Sequence, residues 1–430
     1  MHLDVYGDTL TALVTAATLA STGHVVTLRV PPGSVADELA AGKIPFQEPG
    51  LDAMFDEQRR AGRLRQGSAE AIPEDQVEAL FFGVSPAELG FVESVVDRLA
   101  LRRGQGWLVV NQSNFPVGVS EQLQQRLRNG DPADDTRAVI CMPEMLQEGA
   151  ALQSFTRPSH LLIGCDSEWA ELQIREIFRP FIRLRDNVRI MHPREAEFTK
   201  LAINGMLATR LGFINDMASL ADQLGVDIEQ VRRGMGADPR IGEAYLYPGC
   251  GFGGLNFSRN VMSLADTLEA SNVGSELLEQ VLLINERQKE LLFRKLWQHY
   301  ETNLRGRTVA MWGASFKPGT DRIDNGPALK LLEALWAQGV TVKVHDPKAL
   351  HNLQRRFGDR TDMVLCNTPY EAASGSDALM LVTEWKDYWS PDFPELRRLM
   401  ATPVLLDGRN IYDPAYVKSS GFTYYGVGRQ

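Results

Sequence analysis

The sequence predicts an α/β protein with two doubly wound parallel sheets joined by a central helical region. Three observations predict it. Short apolar runs alternate with helix-length segments over the first third of the chain, and strand–helix–strand order of that kind builds a parallel sheet with helices on both faces. From about Arg194 the apolar spacing changes to three or four residues, the period of one helix face. From Arg307 the alternating pattern returns. A chain of 430 residues also exceeds one typical core, and the expected domains are 1–193, 194–300 and 301–430.

In chain order, His2 to Tyr6 reads as a strand, Leu10 to Thr22 as a helix and Val25 to Val30 as a second strand. Leu80 to Gly83, Trp107 to Asn111 and Ala138 to Cys141 read as further buried strands. In the middle, Leu207, Leu211, Ile214, Met217 and Leu220 line one helix face. A second helical stretch runs from about Val261 to Tyr300, interrupted near Asn272–Gly274. Long helices between two sheet domains suit a spine that pairs subunits, and ordinary intramolecular packing fits the same periodicity. Thr308 to Trp312, Val340 to His345, Ala378 to Thr383, Pro403 to Leu406 and Phe422 to Gly426 read as the later strands, with Leu329 to Gln338 a helix between the first two.

Composition excludes several classes. Hydrophobic content of 44% and charged content of 23% are ordinary for a globular protein. A net charge of -10 argues against nucleic acid as a partner, because neutralising phosphates needs a basic surface. A small phosphorylated ligand stays possible, since a few cations and backbone amides suffice for it. The first ten residues lack the cationic and apolar runs of a secretory signal, and no apolar segment approaches a membrane span. Cys141, Cys165, Cys250 and Cys366 lie far apart without paired metal spacing, so no metal is expected. A reducing cytoplasm, with the thiols as small buried hydrophobes, is expected instead.

Gly7-Asp8-Thr9-Leu10-Thr11-Ala12 lies where a dinucleotide fold has its glycine-rich turn. That turn needs glycines so that the backbone can approach a pyrophosphate. Gly7 remains, Thr9 stands at the second glycine, Ala12 at the third, and Asp8 adds a negative charge. The second strand ends in Val30 where an acid would bond the ribose hydroxyls. Arg29 next to it suggests a 2′-phosphate, but strand side chains alternate faces, which argues against NADP. The turn alone fits a weakened cofactor site and a purely structural strand–turn–helix equally.

Longer segments carry more information. They are Gly42-Lys43-Ile44-Pro45-Phe46-Gln47-Glu48-Pro49-Gly50-Leu51, Pro116-Val117-Gly118 and Pro143-Glu144-Met145-Leu146-Gln147-Glu148-Gly149. Glu197-Phe198-Thr199-Lys200 with Asn204, Asp238-Pro239-Arg240-Ile241-Gly242, and Tyr247-Pro248-Gly249-Cys250-Gly251-Phe252-Gly253-Gly254 follow. Phe316-Lys317-Pro318, Val382-Thr383-Glu384-Trp385 and Asp407-Gly408-Arg409-Asn410 complete the set. In this order, over essentially the whole chain, they resemble the UDP-glucose/GDP-mannose dehydrogenase family, UDP-glucose 6-dehydrogenases in particular.

The resemblance implies two Rossmann-like domains, NAD as cofactor, a UDP-sugar ligand and a homodimer. It also implies a chemistry: two NAD molecules oxidise the sugar C6 alcohol to a carboxylate, and a cysteine thiolate captures the intermediate aldehyde so that a thioester forms. Covalent capture divides a difficult oxidation into manageable steps. Glu144 falls on the family glutamate that assists thioester hydrolysis, and Lys200 and Asn204 on the lysine and asparagine that stabilise the oxyanion or hold water. These last two are four residues apart, on one helix face. The cysteine belongs in a Gly-Gly-Ser-Cys-Phe-Pro-Lys-Asp pattern, but the chain reads Gly253-Gly254-Leu255-Asn256-Phe257-Ser258-Arg259-Asn260. Asn256 therefore stands at the nucleophile and Asn260 at an aspartate. Cys250, six residues upstream, is not expected to substitute, because covalent capture demands near contact.

The cofactor loops drift in parallel. Ser85-Pro86 stands for the family's Thr-Pro, and Ser113-Asn114-Phe115 for its Ser-Thr. Phe155, Arg157, Tyr245, Gly253, Phe257, Phe316, Lys317 and Arg409 match positions that cradle UDP and sugar in the family, with Arg240 reaching the ligand of a neighbouring subunit. Domain packing would explain the same residues. Asp324 replaces a basic residue after Thr320-Asp321. The expectation is a pseudoenzyme of UDP-glucose 6-dehydrogenase architecture, with weak or lost NAD binding. It would act by regulation or complex formation in polysaccharide biosynthesis, with an active paralogue as a partner. A dehydrogenase limited to two-electron chemistry is the alternative.

Overall fold

Strand β1 (His2–Tyr6) is buried from Leu3 onward and pairs in parallel with β2 (Val25–Val30) on one side and β4 (Ala79–Phe82) on the other. In the computed structural model, which describes residues 1–102, 104, 106–128, 134–182 and 187–429, this trio belongs to an eight-stranded sheet. β3 (Leu64–Ser68), β5 (Trp107–Asn111), β6 (Arg137–Cys141), β7 (Leu161–Gly164) and β8 (Val188–Met191) complete it, in the order β3-β2-β1-β4-β5-β6-β7-β8. The order reverses between β1 and β4. In an open α/β sheet a ligand crevice opens at that switch, beyond the carboxyl ends of the strands.

Local sequence explains these elements. β4 and β5 are buried at every residue, as expected of strands covered on both faces. The helix Leu10–Ser21 is buried from Ala12 to Ala20, and its alanines let it lie close to the sheet. One feature departs from the parallel expectation. β7 meets β6 in an antiparallel pairing of Cys141 with Gly164, so β7 and β8, parallel to each other, run against the rest. Gly164 permits the approach, since a Cβ there would stand 2.5 Å from Pro193 Cα and 3.2 Å from Cys141 Cβ.

The chain divides into two compact units, Met1–Ala202 and Ile203–Gln430, the division falling inside the long helix Pro193–Leu224. The second unit holds a six-stranded sheet of β9 (Thr308–Trp312), β10 (Thr341–His345), β11 (Met363–Leu365), β12 (Ala378–Leu381), β13 (Val404–Asp407) and β14 (Thr423–Tyr425). Its order, β11-β10-β9-β12-β13-β14, repeats the central reversal, and every pairing is parallel. The helices Ile228–Ala237, Leu255–Ala270, Glu276–Lys289 and Leu291–His299 precede it. The break expected near Asn272–Gly274 is present, with Asn272 left-handed at φ 56°. The helix before it begins at Leu255 rather than Val261, and a second break falls at Glu290. Among the described residues no helix is long and apolar enough to cross a membrane.

Candidate functional site

At the switch of the first sheet the ends of β1 and β4 nearly touch. Gly7 takes φ +134°, and a Cβ on it would stand 2.3 Å from the Gly83 carbonyl oxygen. Glycine is demanded there by the strands themselves. Thr9 caps the following helix: its hydroxyl donates to the Gly83 carbonyl and accepts the Ala12 N–H at 3.3 Å. Ala12 is fully buried and Val30 nearly so. Arg29 does not face a phosphate site. It is buried, ion-paired with Asp4 and 5.8 Å over the Tyr6 ring. Burial pushes the Asp4 carboxyl up, against the pull of Arg29.

The neighbouring loops are tied by short-range bonds. The Ser85 N–H donates to Glu88 Oε2 at 2.9 Å. Ser113 Oγ donates to Phe82 O at 3.1 Å and accepts the Val84 N–H at 3.0 Å, next to the half-buried Asn114.

Glu144 and Lys200 are brought together in the first unit. Lys200 Nζ donates to the Glu144 backbone carbonyl and lies 3.4 Å from Glu144 Oε2, both side chains being about nine-tenths buried. Beside them a cavity of about 50 Å³ is lined by Thr11, Gln112, Glu144, Ser154, Phe155 and His160 among others. Phe155 packs at 5.6 Å on Phe178 and edge-on at 5.6 Å to Phe181. Arg157, at the end of the short helix Ala151–Thr156, is exposed.

Sequence reasoning missed the carboxylates that fix these loops. Glu48 accepts the N–H groups of Gly149 and Ala151, both at 2.7 Å, and so joins the Gly42–Leu51 motif to the Pro143–Gly149 motif. Glu197 accepts the N–H of Gly118 at 2.5 Å and of Ser120 at 2.9 Å, at the start of the helix Val119–Arg128. Each carboxylate meets the first turn of a helix remote from it in sequence, a favourable place for an anion, so no local signal marked either one.

In the second unit the loop from Tyr247 to Gly254 is held by three amides. Asn215 Oδ1 accepts the Gly249 N–H at 3.0 Å, and Gln288 Nε2 donates to Gly249 O at 2.8 Å. Asn285 bonds both backbone groups of Phe252, at 2.8 and 3.0 Å. A Cβ on Gly253 would stand 2.7 Å from Gly326 Cα, and one on Gly254 2.8 Å from the Phe316 ring. Phe257 meets Phe252 edge-on at 5.2 Å, and Lys317 Nζ lies 5.5 Å over the Phe316 ring.

Arg409 supports the same loop. Its Nε donates to Val382 O at 2.7 Å, and Nη1 donates to Gly251 O at 3.3 Å. Its partner carboxylate is Glu384, at 3.2 Å. Tyr245 holds a left-handed φ of 57°. Arg240 projects from the surface and pairs with Asp238 at 2.7 Å. Asp324, at the expected basic position, accepts from Arg322 Nε at 3.0 Å.

Asn256 is the second residue of the sixteen-residue helix Leu255–Ala270, and Asn260 lies buried one turn further on. Asn204 is also buried, in the long helix. A cysteine in the first turn of a helix is held partly as thiolate by the free backbone N–H groups. An amide there has no charge to gain. Beneath this turn Lys289, almost wholly buried, donates to Glu286 at 2.6 Å and to Asn325 Oδ1 at 2.7 Å, and Asn325 donates to Ser258 Oγ at 2.8 Å. Burial lowers the Lys289 pKa. Cys250 is fully buried, its thiol facing Val382 O at 3.7 Å and pushed up by burial. Among the described residues no cluster of His, Cys, Asp and Glu could hold a metal ion.

Comparison with known proteins accounts for the whole chain. Residues 1–182 match the NAD binding domain of the UDP-glucose/GDP-mannose dehydrogenase family, 194–287 its central domain and 310–414 its UDP binding domain. A UDP-glucose 6-dehydrogenase of Pseudomonas aeruginosa is 41% identical, over 100% of this chain and 98% of its own. One of Rhizobium meliloti is 31% identical, over 100% of each. Among solved structures, a UDP-glucose dehydrogenase of Pyrobaculum islandicum superposes with a TM-score of 0.87 at 28% identity, covering 100% of this chain and 98% of its own.

Proposed function

The chain belongs to the UDP-glucose/GDP-mannose dehydrogenase family, and we propose that within it this protein binds a UDP-sugar without converting it to the uronate. One observation carries the reading. Asn256 occupies the helix turn where the family motif has its cysteine, and Cys141, Cys165, Cys250 and Cys366 are all buried. A carboxamide nitrogen is not a nucleophile at neutral pH, so no thioester forms. Asn260 in place of the aspartate removes a second group one turn further along the same helix.

Weak NAD binding belongs to the same proposal. Thr9 puts a side chain in the glycine turn and spends its hydroxyl on Gly83. Val30 offers the ribose no acceptor, and Arg29 beside it is occupied by Asp4. The sugar-nucleotide side is better preserved. Gly253, Phe257, Phe316, Lys317, Tyr245 and Arg409 remain, with Phe155 and Arg157 in the first unit, and cations give strong charge-assisted bonds to a diphosphate. The proposed working parts are a degenerate NAD region over 1–193, a dimerisation region over 194–300 and a UDP-sugar region over 301–430. The family matches at 1–182, 194–287 and 310–414 support that division.

A homodimer is part of the reading. Met206, Phe213 and Leu220 are exposed at seven-residue spacing along the long helix, a seam that a second copy would bury. Arg240, exposed beyond it, would then reach the neighbouring ligand. The protein acts in the cytoplasm, by regulation or complex formation in polysaccharide biosynthesis, with an active paralogue as its partner.

The Glu144–Lys200 pair favours a second reading, a dehydrogenase limited to the alcohol-to-aldehyde step, which needs no thiol. Calorimetric titration with UDP-glucose and NAD, with assays for NADH and uronate, separates the two. Binding of UDP-glucose with no NADH supports the proposal, and NADH formed without uronate supports the second reading. Uronate formed by the unaltered protein overturns both. The Asn256→Cys variant is expected to stay inactive because the cofactor turn has also changed.

A further inference from the structure

A second cavity, of about 460 Å³, lies in the second unit, apart from the glycine loop and its helix. Ser219, Asp222 and Gln223 of the long helix, Arg294, Gln298 and His299 of the helix Leu291–His299, and Tyr425 of β14 are among its lining residues. Its size is that of a small-molecule site, which spans about 300–1,000 Å³.

Its polar groups divide into two sets. One set is already engaged: Lys295, which also lines the cavity, donates to Asp222 Oδ2 at 2.6 Å and to Gly426 O at 2.7 Å. His299 Nδ1 meets the Tyr425 hydroxyl at 2.9 Å. These bonds fix the walls. The other set is unused. Arg294 spends only Nη1, on Arg287 O at 2.7 Å with Glu290 distant at 3.9 Å, so its Nε and Nη2 have no partner among the described residues. The amides of Gln223 and Gln298 and the Nε2 of His299 likewise have none among the described residues.

Charge decides the ligand class. With Lys295 and Asp222 cancelling, the lining keeps the guanidinium of Arg294 as its net charge. A guanidinium with a free Nε/Nη2 edge offers two parallel donors, matched to a carboxylate or phosphate. The two free amides, each both donor and acceptor, suit hydroxyl groups. We propose that this cavity binds a phosphorylated or carboxylated monosaccharide, with Arg294 on the anion and Gln223 and Gln298 on the sugar hydroxyls. The site is separate from the UDP-sugar site proposed above and does not depend on that reading.

Calorimetric titration of the full-length protein with glucose 1-phosphate and with glucuronate tests it and distinguishes the two anion sources. Saturable binding of at least one of them, weakened roughly tenfold or more in Arg294→Gln and several-fold in Gln298→Ala, supports the proposal. UDP-glucose titration of the same variants should be unchanged, which keeps the two sites distinguishable. Both positions are solvent-accessible, so circular dichroism is expected to show intact folds, and Gln298→Ala serves if Arg294→Gln unfolds. The proposal is overturned if neither probe binds, if both variants bind like the parent, or if neutral glucose or inorganic phosphate binds as tightly as the sugar anions.

Discussion

The hydroxyl of Thr9 donates to the carbonyl oxygen of Gly83 and, as an acceptor, caps the helix at Ala12. It thus ties the ends of β1 and β4 across the opening where the sheet order reverses. Replacing Thr9 by Ala is expected to cost about 1 kcal/mol through the lost cap, and by Gly only a few tenths. Thr9→Gly combined with Val30→Asp is expected to tighten NADH binding about tenfold or more, the factor that ~1.4 kcal/mol supplies. Fluorescence titration of NADH reads this directly. An unchanged affinity would show that the turn and the ribose position are not what limits the cofactor.

All four cysteines are buried, and burial raises the pKa of each thiol. The thiolate is the reactive form. Ellman's reagent is therefore expected to label none of them within minutes in the folded protein and all four after denaturation. Rapid labelling of Cys250 in the native state would reopen it as a nucleophile.

Glu48 places a buried carboxylate on two backbone N–H groups that belong to a distant loop. Glu48→Gln keeps one acceptor but turns an amide N–H toward another donor. A loss of about 2 kcal/mol follows from the charge-assisted bonds given up, seen as a lowered Tm. Stability equal to the parent would mean that the two motifs hold together without it.

His345 is buried against Tyr388, its Nδ1 2.8 Å from the Tyr388 hydroxyl, and burial lowers its pKa from the ordinary 6.5. A folded-state pKa below the unfolded one means that the native protein binds fewer protons. Stability is then full above about pH 6.5 and falls as the pH drops through 6.5 toward the lower folded value. Each such group contributes at most ~1.4 kcal/mol per pH unit. His24 and His299 shift the same way. Denaturation measured between neutral and mildly acidic pH should show the decline, and His345→Gln should flatten it. Equal slopes in both proteins would remove His345 from the account.

Much of the fold was legible because its central strands announce themselves. β1, β2, β5 and β9 match the predicted spans residue for residue, being short, mostly apolar runs bounded by turns. β3 escaped because only Leu64 of its five residues is buried, so no apolar run marks it. β7, β8 and β11 are three or four residues long, too short for a period to show. Glu144, Lys200 and Asn256 could be singled out because they lie in long motifs. Asn215, Asn285, Gln288 and Lys289 could not, because polar residues on helices read as solvent-facing until the loop they clamp is folded against them.

The identity of the side chain at 256, an amide and not a thiol, is fixed by covalent structure, and no folding alters what chemistry it permits. The order of strands and helices is likewise written in local periodicity. What folding alone decided is which polar groups are left to act: Arg29 is consumed by Asp4, Thr9 by Gly83 across 74 residues of chain, and Lys289 by Asn325 across 36. Hydrogen bonds saturate, and a partner distant in sequence leaves no trace in the neighbourhood of either residue.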